Sequence, residues 1–202
     1  MEMKLSTLSV ILGLIVALPH AYGLVRPKAF AEAARKFPRY TPAGWVLMLL
    51  GTAWFLYYVS QENVSDFANM KKIFYLLFGA VGIGSCIVVQ DFLPVRGLAV
   101  LFLLAAKLMT DTARWEETEW RLVISTLAYL WAFAGMWFTI SPWRARDLLH
   151  WSVATESRTR ITSAARVAVG VLLIVLGLTV YRAAEQGAPA AETTALTPAS
   201  LS

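Results

Sequence analysis

The stretch 73–109, IFYLLFGAVGIGSCIVVQDFLPVRGLAVLFLLAAKLM, is apolar except at one short break, Gln90-Asp91-Phe92-Leu93-Pro94-Val95-Arg96-Gly97. It is far too long for one membrane crossing, which takes about 20 residues to cover roughly 30 Å of hydrocarbon. Two helices joined by a tight hairpin fit it. Pro94 suits the first turn of the second helix, where a missing N–H is no loss, and the first helix is expected to stop near Asp91.

Working outward from this hairpin, the same length criterion places spans at 5–25, 44–60, 73–90, 94–113, 122–140 and 166–181. Trp45 and the pair Tyr57-Tyr58 mark the ends of the second span, since amphipathic rings favour the headgroup level. The expected class is therefore an all-α integral membrane protein, a bundle of six transmembrane helices. Composition agrees: of 202 residues 58% are hydrophobic and 15% charged, against about a quarter charged in soluble domains. Six spans leave no room for a separate soluble catalytic domain. Residues 183–202 are mostly Ala, Thr, Pro and Ser with two glutamates, a composition too poor in large apolar side chains to fold, and are expected to form a disordered tail. No inverted repeat, the mark of many transporters, relates 5–90 to 98–181.

Lys and Arg set the orientation, because in short loops they resist translocation. One side of a six-span chain holds Arg26, Lys28, Arg35, Lys36, Arg39, Arg96, Arg144, Arg146, Arg158, Arg160 and Arg166, eleven of the eighteen basic residues, and four of the thirteen acidic ones. That side is expected to be cytoplasmic, in a plasma (inner) membrane, with both termini on the other side. The first apolar run has a small-x-small site, Ala21-Tyr22-Gly23, as a signal peptide would. Cleavage there would export the basic segment that follows, so a retained helix is the better reading. The net charge of +5 lies in loops beside apolar runs rather than in a basic recognition module. It suits anionic lipid, not nucleic acid.

Two segments of the basic side read as interfacial amphipathic helices. In 27–37, Phe30, Ala33, Ala34 and Phe37 share a face opposite Lys28, Glu32, Arg35 and Lys36. In 141–154, Ser141 and Pro142 offer a cap and a first turn, and Trp143, Leu148, Leu149 and Trp151 offer apolar contacts beside Arg144, Arg146 and His150. Phe30, Phe37, Trp143 and Trp151 are the expected anchors.

The charges of the fourth span, Arg96, Lys107, Asp111 and Arg114, fall on one stripe, because eleven residues return to within about 20° of the same face. Charge within hydrocarbon is costly and a functional hint. Arg96, Asp111 and Arg114, however, belong at the span's ends, and Lys107 can snorkel outward or pair with Asp111. Asp91 and Arg96 are expected to pair across the hairpin turn. Gly79, Gly82 and Gly84 give the third span a small-residue face suited to close helix packing. The acidic run Trp115-Glu116-Glu117-Thr118-Glu119-Trp120 reads as a solvated link between interfacial tryptophans.

No catalytic or metal residues and no cofactor are expected. His20 and His150 lack the companions of a metal site, Cys86 stands alone, and no phosphate, dinucleotide, serine-hydrolase or zinc-protease motif occurs. The expected function is a non-enzymatic accessory or scaffold component that associates through helix faces, with a membrane protein or a second copy as partner. The alternative is a small transporter or channel using the stripe of the fourth span.

Overall fold

A computed structural model describes residues 3–61, 70–116 and 118–187. The described chain is helical and holds no strand: α1 (Leu5–Val25), α2 (Pro27–Lys36), a 3-10 turn (Phe37–Arg39), α3 (Thr41–Gln61), α4 (Lys71–Val88), α5 (Leu93–Arg114), α6 (Arg121–Ile140), α7 (Pro142–Ser152), α8 (Glu156–Leu176), a π turn (Gly177–Tyr181) and α9 (Arg182–Gly187). Six of these stretches, α1, α3, α4, α5, α6 and the run from α8 through α9, are long and apolar enough to cross a membrane. Their order alternates chain direction. One end of the bundle therefore gathers α2, α7 and the hairpin between α4 and α5, and is called the basic end below; the other is the far end.

The first and last long helices lie antiparallel along each other with their backbones in contact. A Cβ on Gly13 would stand 2.5 Å from the Gly170 carbonyl oxygen, one on Gly170 would stand 2.7 Å from that of Gly13, and one on Gly177 would stand 2.8 Å from that of Ser6. Small residues permit this approach. Between helices in lipid, where no hydrophobic force distinguishes a neighbour from a lipid tail, such packing and interhelical hydrogen bonds hold the pair. Ser9, fully buried, donates its hydroxyl to the Leu173 carbonyl at 2.7 Å. At the far end Glu185 accepts from the Ser6 N–H at 2.9 Å and from its hydroxyl at 2.8 Å. One helix thus caps another: Lys4 gives α1 no side-chain cap, and the Glu185 carboxylate satisfies a loose N–H where the helix dipole favours negative charge.

α5 is the central post. Half of its apolar stretch is buried (50%), against 11% for α4. α3 reaches it through Gly44 on Leu93, Gly51 on Val100 and Gly97 under Leu47 and Met48, and α6 through Gly135 on Leu103. The main core lies in the far half, where Leu8 and Leu12 of α1, Met109 of α5, Ile124 of α6 and Leu173 of α8 meet. α4 rides outside on α3, with Phe78 edge-on to Phe55 at 4.7 Å and Gly82 against Thr52. Outward-facing leucines, isoleucines and valines cover much of the surface, far more apolar area than a water-soluble monomer presents.

The six long helices stand where the sequence places them within a few residues, except the last. α8 starts at Glu156, ten residues before the expected 166, because Thr155 caps it by accepting from the Arg158 N–H and Glu156 pairs with Arg160 one turn on. The helix also continues to Gly187, so 183–187 are not the disordered tail expected; the Glu185 contact with Ser6 orders them. Residues 188–202 lie outside the described part. α7 opens on Pro142 as expected, although Ser141 makes no side-chain cap.

Gly170→Leu should cost about 1–3 kcal/mol by forcing side-chain atoms into the α1 backbone, whereas Gly79→Leu meets open space and should cost nothing measurable. Thermal unfolding of the two variants in detergent would show it: a lowered Tm for the first and an unchanged one for the second.

Candidate functional site

The stripe of α5 divides in two. Lys107 donates to Asp111 at 2.6 Å, both side chains are about half exposed at 46%, and the ammonium sits 5.1 Å from the centre of the Tyr58 ring on α3. Arg114 is exposed at the end of the helix, where its carbonyl accepts from Arg121. Arg96 lies about 16 Å away along the helix, at the basic end. Between them, on the same face, stand Val100 and Leu103, seated against Gly51 of α3 and Gly135 of α6.

The hairpin turn differs from its expected chemistry. Asp91 is exposed and forms no ion pair with Arg96, whose Nε is buried without a hydrogen-bond partner among the described residues. The turn is closed instead by Phe92, which adopts a left-handed backbone at φ 56°, an unusual conformation for a bulky residue. Its ring packs with Val95, Ala99 and Phe138 and carries the Arg146 guanidinium of α7 at 5.8 Å. Of the three glycines of α4, only Gly82 touches a neighbour among the described residues; Gly79 and Gly84 meet none of them.

At the basic end, α2 and α7 lie against the start of α8. Arg35 donates to the Val153 carbonyl at 2.8 Å, and Lys28 reaches Glu156 at 3.9 Å. The inward face of α2 is Pro27, Phe30, Ala31 and Ala34, while Ala33 points out; the helix is turned by about one residue from the face read in the sequence, since Pro27 and Ala31 are the positions it buries. Phe30 therefore packs on protein, 5.7 Å from the His20 ring and against Gly23. Phe37 is half-buried, whereas Trp143 and Trp151 are exposed as anchors would be, Trp151 under the Arg158 guanidinium. Lys36 binds Glu32 at 2.7 Å and holds its carboxyl below the usual range.

His20 has a partner the sequence did not disclose. Its Nδ1 lies 2.8 Å from the Val16 carbonyl and its Nε2 3.1 Å from the Arg166 guanidinium of α8. A carbonyl and a guanidinium together select one neutral tautomer, with Nδ1–H donating and Nε2 accepting. Nothing in the sequence marks the pairing of residues so far apart. No group of three metal-ligating side chains occurs among the described residues.

A concavity lies at the far end. α1 packs on α8, and α3 packs on α5 and α4, so a cleft opens between α1 and α3 with α5 behind it. Its outer part, about 700 Å³, is lined by Lys4, Tyr58, Asp111, Thr112, Trp115 and Glu116. Its inner part, about 510 Å³, shares Lys4, Tyr58 and Leu108 with the outer one and adds Thr7, Trp54 and Tyr57. Burial pushes the Glu116 carboxyl up, and the charge of Glu185 adds to the effect. Glu117 lies outside the described residues.

No family model, curated protein or solved structure matches the chain.

Because its pKa is raised on folding, Glu116 lends stability at acid pH that is lost as pH rises through the raised value. In lipid-free detergent Glu116→Gln should raise Tm slightly at neutral pH and not at about pH 4, where the carboxyl is largely protonated in both states. Separately, Phe30→Ala should free α2 from α1 and speed hydrogen exchange across 27–36 without lowering the exchange protection of α5.

Proposed function

We propose that the chain is an integral component of the plasma (inner) membrane, six spans with both ends non-cytoplasmic, that acts without catalysing a reaction. Its role is that of an accessory or scaffold component, joined through a helix face to another membrane protein or to a second copy. The observation that carries this reading is the interruption of the α5 stripe. A permeation path along it would need polar or open surface between Arg96 and Lys107, and Val100 and Leu103 fill that stretch against α3 and α6. The charges are left as two separate sets at the two ends, where they can meet headgroups and water at far lower cost than in mid-membrane.

α4 is the candidate association face. It packs on α3 alone among its main neighbours, and Gly79 and Gly84 present backbone to open space beside exposed Ile83 and Ile87. Small residues of this kind let a second helix come close. The basic end, with the unpartnered Nε of Arg96 and the exposed Trp143 and Trp151, suits anionic lipid at a cytoplasmic surface.

A photo-cross-linking residue at Ile83 should give a discrete protein adduct in native membranes, while one at Tyr129, exposed on α6, should give chiefly lipid adducts. Reconstituted protein should carry no anion flux. Flux that is abolished by Lys107→Met would overturn the proposal in favour of a transporter. Reporter fusions test the orientation: a cytoplasmic reporter is expected to be active near Ala34 and silent after Ser202.

A further inference from the structure

The far-end cleft has a graded lining. Its mouth is lined by Lys4, at the start of α1, and by Asp111, Thr112 and Glu116, in the last turns of α5 and just beyond it, with Asp111 paired to Lys107. Its depth is aromatic and apolar: Trp54, Tyr57 and Tyr58 of α3 face Leu108 of α5 and the exposed side of α1 at Thr7. Both parts have the size of small-molecule sites, which span about 300–1,000 Å³, and they run into each other.

That order of groups has a natural complement. A ligand with a charged end at the membrane surface and an apolar body reaching inward is an amphiphile, and aromatic side chains at such a level are favourable to it. The two signs of charge at the mouth narrow its chemistry. Asp111 is already engaged by Lys107 at 2.6 Å, so the mouth offers the Lys4 ammonium and the Glu116 carboxylate; a headgroup with negative charge alone would meet Glu116, with Glu185 adding to the field there. A headgroup carrying phosphate and ammonium satisfies both charges, the phosphate at Lys4 and the ammonium at Glu116, through charge-assisted hydrogen bonds that need N–H donors. A quaternary ammonium has none to give. The cleft opens sideways between α1 and α3, so that acyl chains can pass from its aromatic part into the bilayer.

We propose that this cleft is a binding site for one phospholipid with a primary-ammonium zwitterionic headgroup, a phosphatidylethanolamine, drawn from the leaflet at the far end of the bundle. Lys4 holds its phosphate, Glu116 its ammonium, and Trp54, Tyr57 and Leu108 the start of its chains. The site would fix the spacing of α1 and α3. It rests on the chain lying in a bilayer and is independent of whether α4 meets a protein partner.

Native mass spectrometry of delipidated protein, titrated with phosphatidylethanolamine, phosphatidylglycerol and phosphatidylcholine of identical chains, tests it. One equivalent of phosphatidylethanolamine should bind at least about fivefold more tightly than either of the others, which corresponds to roughly 1 kcal/mol. The double variant Lys4→Gln/Glu116→Gln should lose the preference, Thr7→Trp should block the tight equivalent by filling the cleft from an exposed position, and Arg39→Gln at the basic end should change neither. Equal binding of the three lipids, a preference for phosphatidylglycerol, or a preference that survives the double variant would overturn the proposal. Carbonate extraction of membranes, run in parallel, separates its failure from that of the membrane reading: protein that stays in the pellet yet shows no preference refutes only the lipid site, and protein released to the supernatant refutes both.

Discussion

The approach of α1 to α8, with the Gly13 carbonyl oxygen set where a Gly170 side chain would stand, is the contact on which the rest of the arrangement hangs. It joins the two ends of the chain along the full depth of the bundle. Contacts mark it at every level, from Glu185 on Ser6 at the far end, through Ser9 on Leu173, to His20 on Arg166 at the basic end. In a lipid environment a helix pair gains little from apolar burial as such, because its neighbours are equally apolar. Close van der Waals fit and hydrogen bonds must supply the preference. The pair has both, and α1, held on this side, completes the core formed with α5 and α6 while leaving its other side open toward α3.

α5 then divides the molecule along its length. Its basic end meets α7, its middle is locked by glycines of α3 and α6, and Asp111 at its far end lines the cleft. The apolar middle separates two polar regions that a sequence stripe joins on paper. That separation leaves the two charge sets at opposite ends of α5, with the cleft at the far one.

Much of the fold was legible in the sequence, because span length and composition are properties of single helices. The hairpin around Asp91, the short helices α2 and α7 and the i,i+4 pair of Lys107 with Asp111 follow from local spacing alone. What failed to be legible needed knowledge of a neighbour. Gly79, Gly82 and Gly84 are alike in sequence, and only the rotation of α4 on α3 decides that Gly82 alone is a contact. Arg96 was matched with the nearest acid, but the left-handed turn at Phe92 sends Asp91 outward. The start of α8 was hidden by its charges, and its extension to Gly187 by a small-residue composition that only the Ser6 contact orders. The cleft was invisible for the same reason: Lys4, Tyr58 and Glu116 share no element, and nothing local brings them together.

The claim that the terminal helices clasp each other within one chain is tested most directly by cysteine cross-linking in native membranes. With Cys86 replaced by Ala, the pair Ser9→Cys and Leu173→Cys stands at a contact where the native hydroxyl and carbonyl are 2.7 Å apart. Oxidation or a short thiol-specific linker should give a single intrachain product with the mobility of a compacted monomer, and neither single variant should give it. Absence of that product, or products found only between chains, would contradict the clasp.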